Sequence, residues 1–178
     1  MYGLVNQGIR KMVTQSFGEE TWEAICDKSG VEDVFVAMEP YPDEVTLSLV
    51  VAASEVLGLP PEQVLHAFGK WWIGNAAREY KGIFNMTGDS FQEFLGNLNS
   101  IHSRVSHMLP KLTPPSFKIT DQTDSSLVVH YYSQRQGLSP MVEGMIEGIS
   151  EWFNTPVKIE LIDSAESADH AIFHVSFG

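Results

Sequence analysis

Residues 91–135 read FQEFLGNLNSIHSRVSHMLPKLTPPSFKITDQTDSSLVVHYYSQR, and within them the spacing of apolar side chains changes from a helical to a strand period. Phe91, Phe94, Leu95, Leu98, Ile101, Val105, Met108 and Leu109 recur every three or four residues, which predicts one helix running to Leu109. Asp89 or Ser90 supplies a good N-cap. Pro110, Pro114 and Pro115 close the helix, because proline cannot continue it. Ser116–Thr120 and Ser126–Arg135 then read as strands joined by the polar turn Asp121-Gln122-Thr123-Asp124.

The same reading extends in both directions. Val5, Ile9, Met12 and Val13 form one helical stripe, and Glu19 to Ser29 predicts a second helix carrying Trp22 and Ile25, with Gly30 as its stop. After the turn at Pro40-Tyr41-Pro42, Asp43 caps a helix to about Leu57, and Gly58 ends it. Pro60-Pro61 opens another through Val64, Phe68 and Trp72, followed by a looser stretch punctuated by Gly74, Gly82 and Gly88. Toward the C-terminus, Ser139-Pro140 begins a helix with Leu138, Met141, Val142, Met145, Ile149 and Trp152 on its apolar face. Val157–Ile162 and His170–Phe177 give two more strands. There is no internal repeat and no low-complexity linker. Helices early and strands late make the expected class α+β.

Bulk properties narrow the function. The 178 residues suffice for one domain with a real core. A formal charge of −12 argues against nucleic acid or an anionic membrane as the main partner. The single cysteine, Cys26, rules out an internal disulfide framework and argues against a cysteine-based zinc site. No signal-peptide pattern opens the chain, and no apolar run approaches the roughly 18 residues of a membrane span. The expectation is a soluble cytoplasmic domain.

Two features carry chemistry. His102 falls on the apolar stripe, four residues after Leu98 and three before Val105, so it is expected to face the core; His107 is turned about 140° away. Two readings of His102 are open at this point: a core histidine satisfied by its neighbours, or a neutral imidazole ligand to a metal or haem. Tyr131, Ser133 and Arg135 alternate along a strand, so they share one face over about 14 Å. Two hydroxyls and a guanidinium fork suit an anion rich in carboxylate oxygens. A polar, solvent-facing strand surface is the other reading.

Taken together, Asn97-Leu98-Asn99-Ser100-Ile101-His102, Pro114-Pro115-Ser116-Phe117 and Tyr131-x-Ser133-x-Arg135 resemble the H-NOX family, the haem nitric oxide/oxygen binding domains related to soluble guanylate cyclase. The likeness extends over nearly the whole chain. It includes the opening Met-Tyr-Gly-Leu-Val-Asn, Thr21-Trp22-Glu23, Ala53-Ser54-Glu55-Val56-Leu57-Gly58, Ala67-Phe68-Gly69 and Gly137-Leu138-Ser139-Pro140-Met141-Val142. The resemblance implies a single domain, with a helical N-terminal lobe over about 1–63 and a haem-anchoring lobe with an antiparallel four-stranded sheet over about 64–178. Haem b (iron protoporphyrin IX) would be buried between the lobes. His102 matches the proximal iron ligand, and Tyr131, Ser133 and Arg135 match the motif that holds the haem propionates. Pro115 matches the proline that presses on the porphyrin, although a chain-reversing proline is the plain alternative. Val5, Leu98, Ile101, Trp72, Met141 and Met145 are expected to line the haem pocket.

The resemblance also bears on the gas. Bound dioxygen needs a distal hydrogen-bond donor far more than nitric oxide does, and in oxygen-binding members a tyrosine after the Tyr-x-Ser-x-Arg motif supplies it. No tyrosine follows Tyr132 here, and Met141 cannot donate. Trp72 resembles a distal tryptophan of some nitric oxide-selective members, with a core aromatic as the alternative. The expectation is a sensor of nitric oxide and carbon monoxide that does not bind dioxygen stably and is not itself an enzyme. Nitric oxide would weaken or break the bond to His102 and shift the lobes, regulating a separate histidine kinase or cyclic-di-GMP enzyme. A haem enzyme, such as a peroxidase or a nitric oxide-consuming oxygenase, is the runner-up; it lacks an obvious distal acid–base group. A haem-free relative binding another apolar ligand is the third reading.

Overall fold

The computed structural model describes residues 1–109, 111–164 and 170–178, which form eight helices and one four-stranded antiparallel sheet. The class is α+β. Chain contacts divide the molecule into two compact units, Met1–Phe68 and Gly69–Gly178.

The first unit contains α1 (Gly3–Phe17), α2 (Glu19–Ser29), α3 (Asp43–Leu57) and the opening turns of α4 (Pro61–Glu79). Ile9, Met12 and Val13 are buried and Val5 half-buried, so the apolar stripe of α1 is real. Trp22, Ile25 and Leu49 are fully buried beside it. Gly30 and Gly58 end their helices in the left-handed region, at φ 66° and 67°, where a Cβ would be strained. One boundary differs from expectation. Pro42, not Asp43, is the N-cap of α3; Asp43 is the first helical residue, where its charge suits the helix dipole. No single helix among the described residues is long and apolar enough to cross a membrane.

The second unit holds the rest of α4, then α5 (Lys81–Thr87), α6 (Phe91–Gly96), α7 (Leu98–Met108), β1 (Ser116–Thr120), β2 (Ser126–Tyr132), α8 (Ser139–Trp152), β3 (Val157–Ser164) and β4 (His170–Phe177). The sheet order is β1-β2-β4-β3. One face buries Phe117, Leu127, Val129, Tyr131, Phe173 and Val175 against Phe84, Phe91 and Phe94, and against Ile146 and Ile149 of α8. Helices α4 and α8 touch backbone to backbone. A Cβ on Gly69 would lie 2.0 Å from the Met141 carbonyl oxygen, and one on Gly148 would lie 2.8 Å from Ile73 Cβ. Lys70 fastens the same pair, bonding Glu147 and Glu151 at 2.8 Å each.

Three expectations need correction here. The stretch from Gly74 to Thr87 is helical on both sides of a break at Tyr80, because Ile73 and Ala77 on α4 and Phe84 on α5 are buried and offset the cost of Gly74 and Gly82. The helix expected over 91–109 is two helices. At Asn97 the backbone leaves helical geometry (φ −98°, ψ 3°) and the side-chain Nδ2 donates to the Thr87 carbonyl at 2.7 Å. The apolar stripe is therefore not continuous, and Met108 is 68% exposed. Finally, β2 stops at Tyr132, so Arg135 does not share a strand face with Tyr131, while β3 runs two residues beyond Ile162.

Candidate functional site

α7 brings His102 onto the first residues of β1. Its imidazole lies flat against Phe117, with centroids 5.8 Å apart and planes 30° from parallel. His107, in contrast, is exposed. Nδ1 of His102 is shut away from water and makes no hydrogen bond of ordinary geometry. Burial pushes the ring toward its neutral form, and a hydrogen bond to the Pro115 carbonyl acts in the opposite direction. A ring pushed toward neutral can face the Pro115 carbonyl with its N–H and still offer the lone pair of its other nitrogen to a metal or haem iron.

The backbone beneath His102 is held from α7 itself. Asn99 Nδ2 donates to the Phe117 carbonyl at 2.6 Å, and its Oδ1 accepts from the Phe117 amide at 2.9 Å. Phe117 pairs with Tyr131 across β1 and β2, their rings 5.4 Å apart. His102, Phe117 and Tyr131 thus form a row of rings from the helix into the sheet. Asn99 and Phe117 lie within the stretches that carry the family resemblance, but the sequence assigns neither a role; the hint is that Asn99 lies on the same helix side as His102.

Tyr131 and Ser133 are both buried, and Arg135 is half-buried just beyond the strand. Burial raises the Tyr131 pKa, while a hydrogen bond with Ser133 and the Arg135 charge offset part of that rise. The Arg135 amide donates to Ser133 Oγ at 3.0 Å, and this turn carries the chain off the strand. Its guanidinium reaches the loop before β1, with Nη1 donating to the Thr113 carbonyl at 3.0 Å. The turn keeps Arg135 beside Tyr131 and Ser133 even though strand alternation has ended.

The other expected residues fall as follows. Pro115 is half-buried immediately before β1. Leu98 is buried on α7, and Ile101 packs half-buried against the core of the second unit. Trp72 on α4 and Met145 on α8 pack on the same core, and Met141 is half-buried one turn before Met145. Val5 belongs to α1 in the first unit. Among the described residues, no group of three or more His, Cys, Asp or Glu side chains is placed to hold a bare metal ion. A single histidine suits a metal that brings most of its own donors, as a porphyrin does. A cleft of about 470 Å³ in the first unit, lined by Trp22, Cys26 and acidic side chains, contains none of these residues. There burial and Asp33 push the Cys26 thiol up to about 11, so it is not a reactive thiolate at neutral pH.

A family model described as Haem-NO-binding matches residues 2–161. The chain belongs to the H-NOX family. It is 31% identical over 182 residues to soluble guanylate cyclase gcy-31 of Caenorhabditis elegans, covering 99% of this chain and 26% of that one. It is also 31% identical to gcy-35 of the same organism, over 84% of this chain and 22% of the relative. The chain therefore spans about a quarter of the length of these cyclases. Among solved structures, an H-NOX protein from S. oneidensis in the Fe(II)NO ligation state superposes with a TM-score of 0.88 at 22% identity, covering 100% of this chain and 99% of the other. The Fe(II) unliganded H-NOX protein from K. algicida gives 0.87 at 22% identity, over 100% and 97%. At that identity these two speak for the fold. As an H-NOX domain, the chain is a haem-binding gas-sensing unit of the kind found in soluble guanylate cyclase.

Proposed function

We propose that this H-NOX domain senses nitric oxide, and also takes carbon monoxide, through ferrous haem b ligated by His102. The observation that carries this is the His102 ring: pushed toward its neutral form by burial, stacked on Phe117, and with an enclosed Nδ1 that finds no well-formed hydrogen bond among the described residues. When bound, haem supplies an iron with one open position for a diatomic gas. Tyr131, Ser133 and Arg135 would hold its propionates through two hydroxyls and a guanidinium, and Pro115 would pack against it. Leu98, Ile101, Trp72, Met141 and Met145 of the second unit would give it apolar surroundings, and Val5 of the first unit is a further candidate.

Selectivity rests on the missing tyrosine, since the indole N–H of Trp72 is at most a weak donor. No tyrosine follows Tyr132 in the sequence, and Met141 and Met145 present thioethers that donate no hydrogen bond. Dioxygen would go unstabilised, whereas nitric oxide does not depend on such a donor. His102 carries the signal, because any change in what it grips reaches Asn99, Phe117 and Tyr131 directly. The output is regulation of a signalling enzyme; a histidine kinase or a cyclic-di-GMP enzyme is the proposed class, and the domain is not itself the catalyst.

Recording the ferrous spectrum before and after nitric oxide, and in air, tests the reading. Haem is expected at one per chain, with nitric oxide and carbon monoxide complexes and no oxy-ferrous form. His102→Gly should lose the native ferrous spectrum and regain it with added imidazole. A stable oxy-ferrous spectrum would refute the selectivity, and an unchanged His102→Gly spectrum would refute the ligand.

A further inference from the structure

α7 is a lightly anchored helix. Leu98 is the only one of its residues that is buried, and Ser103, Arg104, His107 and Met108 are exposed. Its firm attachment to β1 is the two-point grip of the Asn99 carboxamide on the Phe117 carbonyl and amide. That is the pattern a neighbouring strand would make, supplied here by one side chain. It is available because β1 lies at the border of the sheet, where the outward-facing groups of Phe117 meet no other strand.

The register matters. Asn99 and His102 are three residues apart and so lie on one side of α7. Asn99 holds the backbone of Phe117 while His102 lies on its ring. The Pro115 carbonyl, two residues upstream, reaches the same imidazole. We infer that Asn99 is a positioning residue for the haem: by locking α7 to Phe117 it fixes where His102 stands over β1, and so how strongly His102 holds the iron. This rests on the reading of His102 as the ligand. Asn99 does not itself touch the haem; it acts through His102.

Two variants grade the effect. Asn99→Ala removes both bonds. Asn99→Asp keeps the acceptor for the Phe117 amide but sets a carboxylate against the Phe117 carbonyl. In the haem-free chain, hydrogen exchange of the Phe117 amide should quicken at least tenfold in Asn99→Ala and less in Asn99→Asp. In the haem-loaded ferrous protein, the iron–histidine stretching band should move to lower frequency and broaden, in the same order. Unchanged exchange would show that the grip is absent in solution and overturn the inference. Faster exchange with the band at its wild-type position and width would overturn it too, since the grip would then be merely structural. A band that persists in His102→Gly would overturn the ligand assignment and the inference with it. The Phe117 exchange result distinguishes that failure from loss of the grip.

Discussion

His102 and His130 are both kept neutral, by different surroundings. Burial alone does it for His102. For His130, partial burial is joined by the charges of His170 and Lys118, with Asp121 opposing. Thr120 Oγ1 donates to Asp121, so it accepts from His130 Nε2, which leaves His130 Nδ1 to accept from His170 Nε2 at 3.1 Å. Tyr132 stacks on His170, with ring centroids 4.2 Å apart. Because folding lowers the His130 pKa, the associated stability is complete above the ordinary value of 6.5 and is lost as pH falls through the folded value. The urea midpoint should therefore be lower at about pH 5.5 than at about pH 8, and His130→Asn should shrink the difference. An undiminished pH dependence in that variant would exclude His130 as a source. Residue-level meaning was unevenly legible. His102 stands out as a candidate by its place among apolar residues, whereas the alternation that singled out Tyr131, Ser133 and Arg135 ends with β2 at Tyr132. Asn99 does not stand out, since an asparagine on an exposed helix face looks the same whether it meets water or a strand.

At the scale of elements, helix ends were the most readable feature and helix continuity the least. Ser90 caps α6 by accepting from the Glu93 amide, and Glu93 Oε2 accepts in turn from the Asp89 amide, a reciprocal cap visible as serine followed three residues later by glutamate. Ser90→Ala should cost about 1 kcal/mol of stability in urea unfolding. The break between α6 and α7 was hidden because Leu95, Leu98 and Ile101 keep helical spacing across it; only the contact of Asn97 with Thr87 reveals the bend. The glycine seam between α4 and α8 was equally hidden, since it depends on two helices far apart in the chain. Gly69→Ala would force the Met141 carbonyl away and should cost about 1–3 kcal/mol, more than the loss of the Ser90 cap. Equal midpoints for the two variants would mean that α8 shifts freely.

For the molecule as a whole, a net charge of −12 implies self-repulsion that salt relieves. The melting temperature of the haem-free chain should rise between low and moderate ionic strength; a flat response would mean that the charges are already paired. Haem should stabilise the protein by linkage, by about 2.7 kcal/mol when free haem is 100 times its dissociation constant, and less in His102→Gly at equal concentration. The α+β class was legible because the period changes within one stretch, whereas the division at Phe68–Gly69 falls inside α4 and leaves no mark in the sequence. The Asn99 grip has one more consequence at this scale. An open sheet has two borders where a second copy could template its own strand. On the β1 side the Asn99 carboxamide occupies the Phe117 groups that an incoming strand would need, and on the β3 side the register slips between Leu161 and Asp163. Neither border offers an uninterrupted ladder. Asn99→Ala would reopen one of them, and light scattering at high protein concentration should then detect polymers that the wild-type chain does not form.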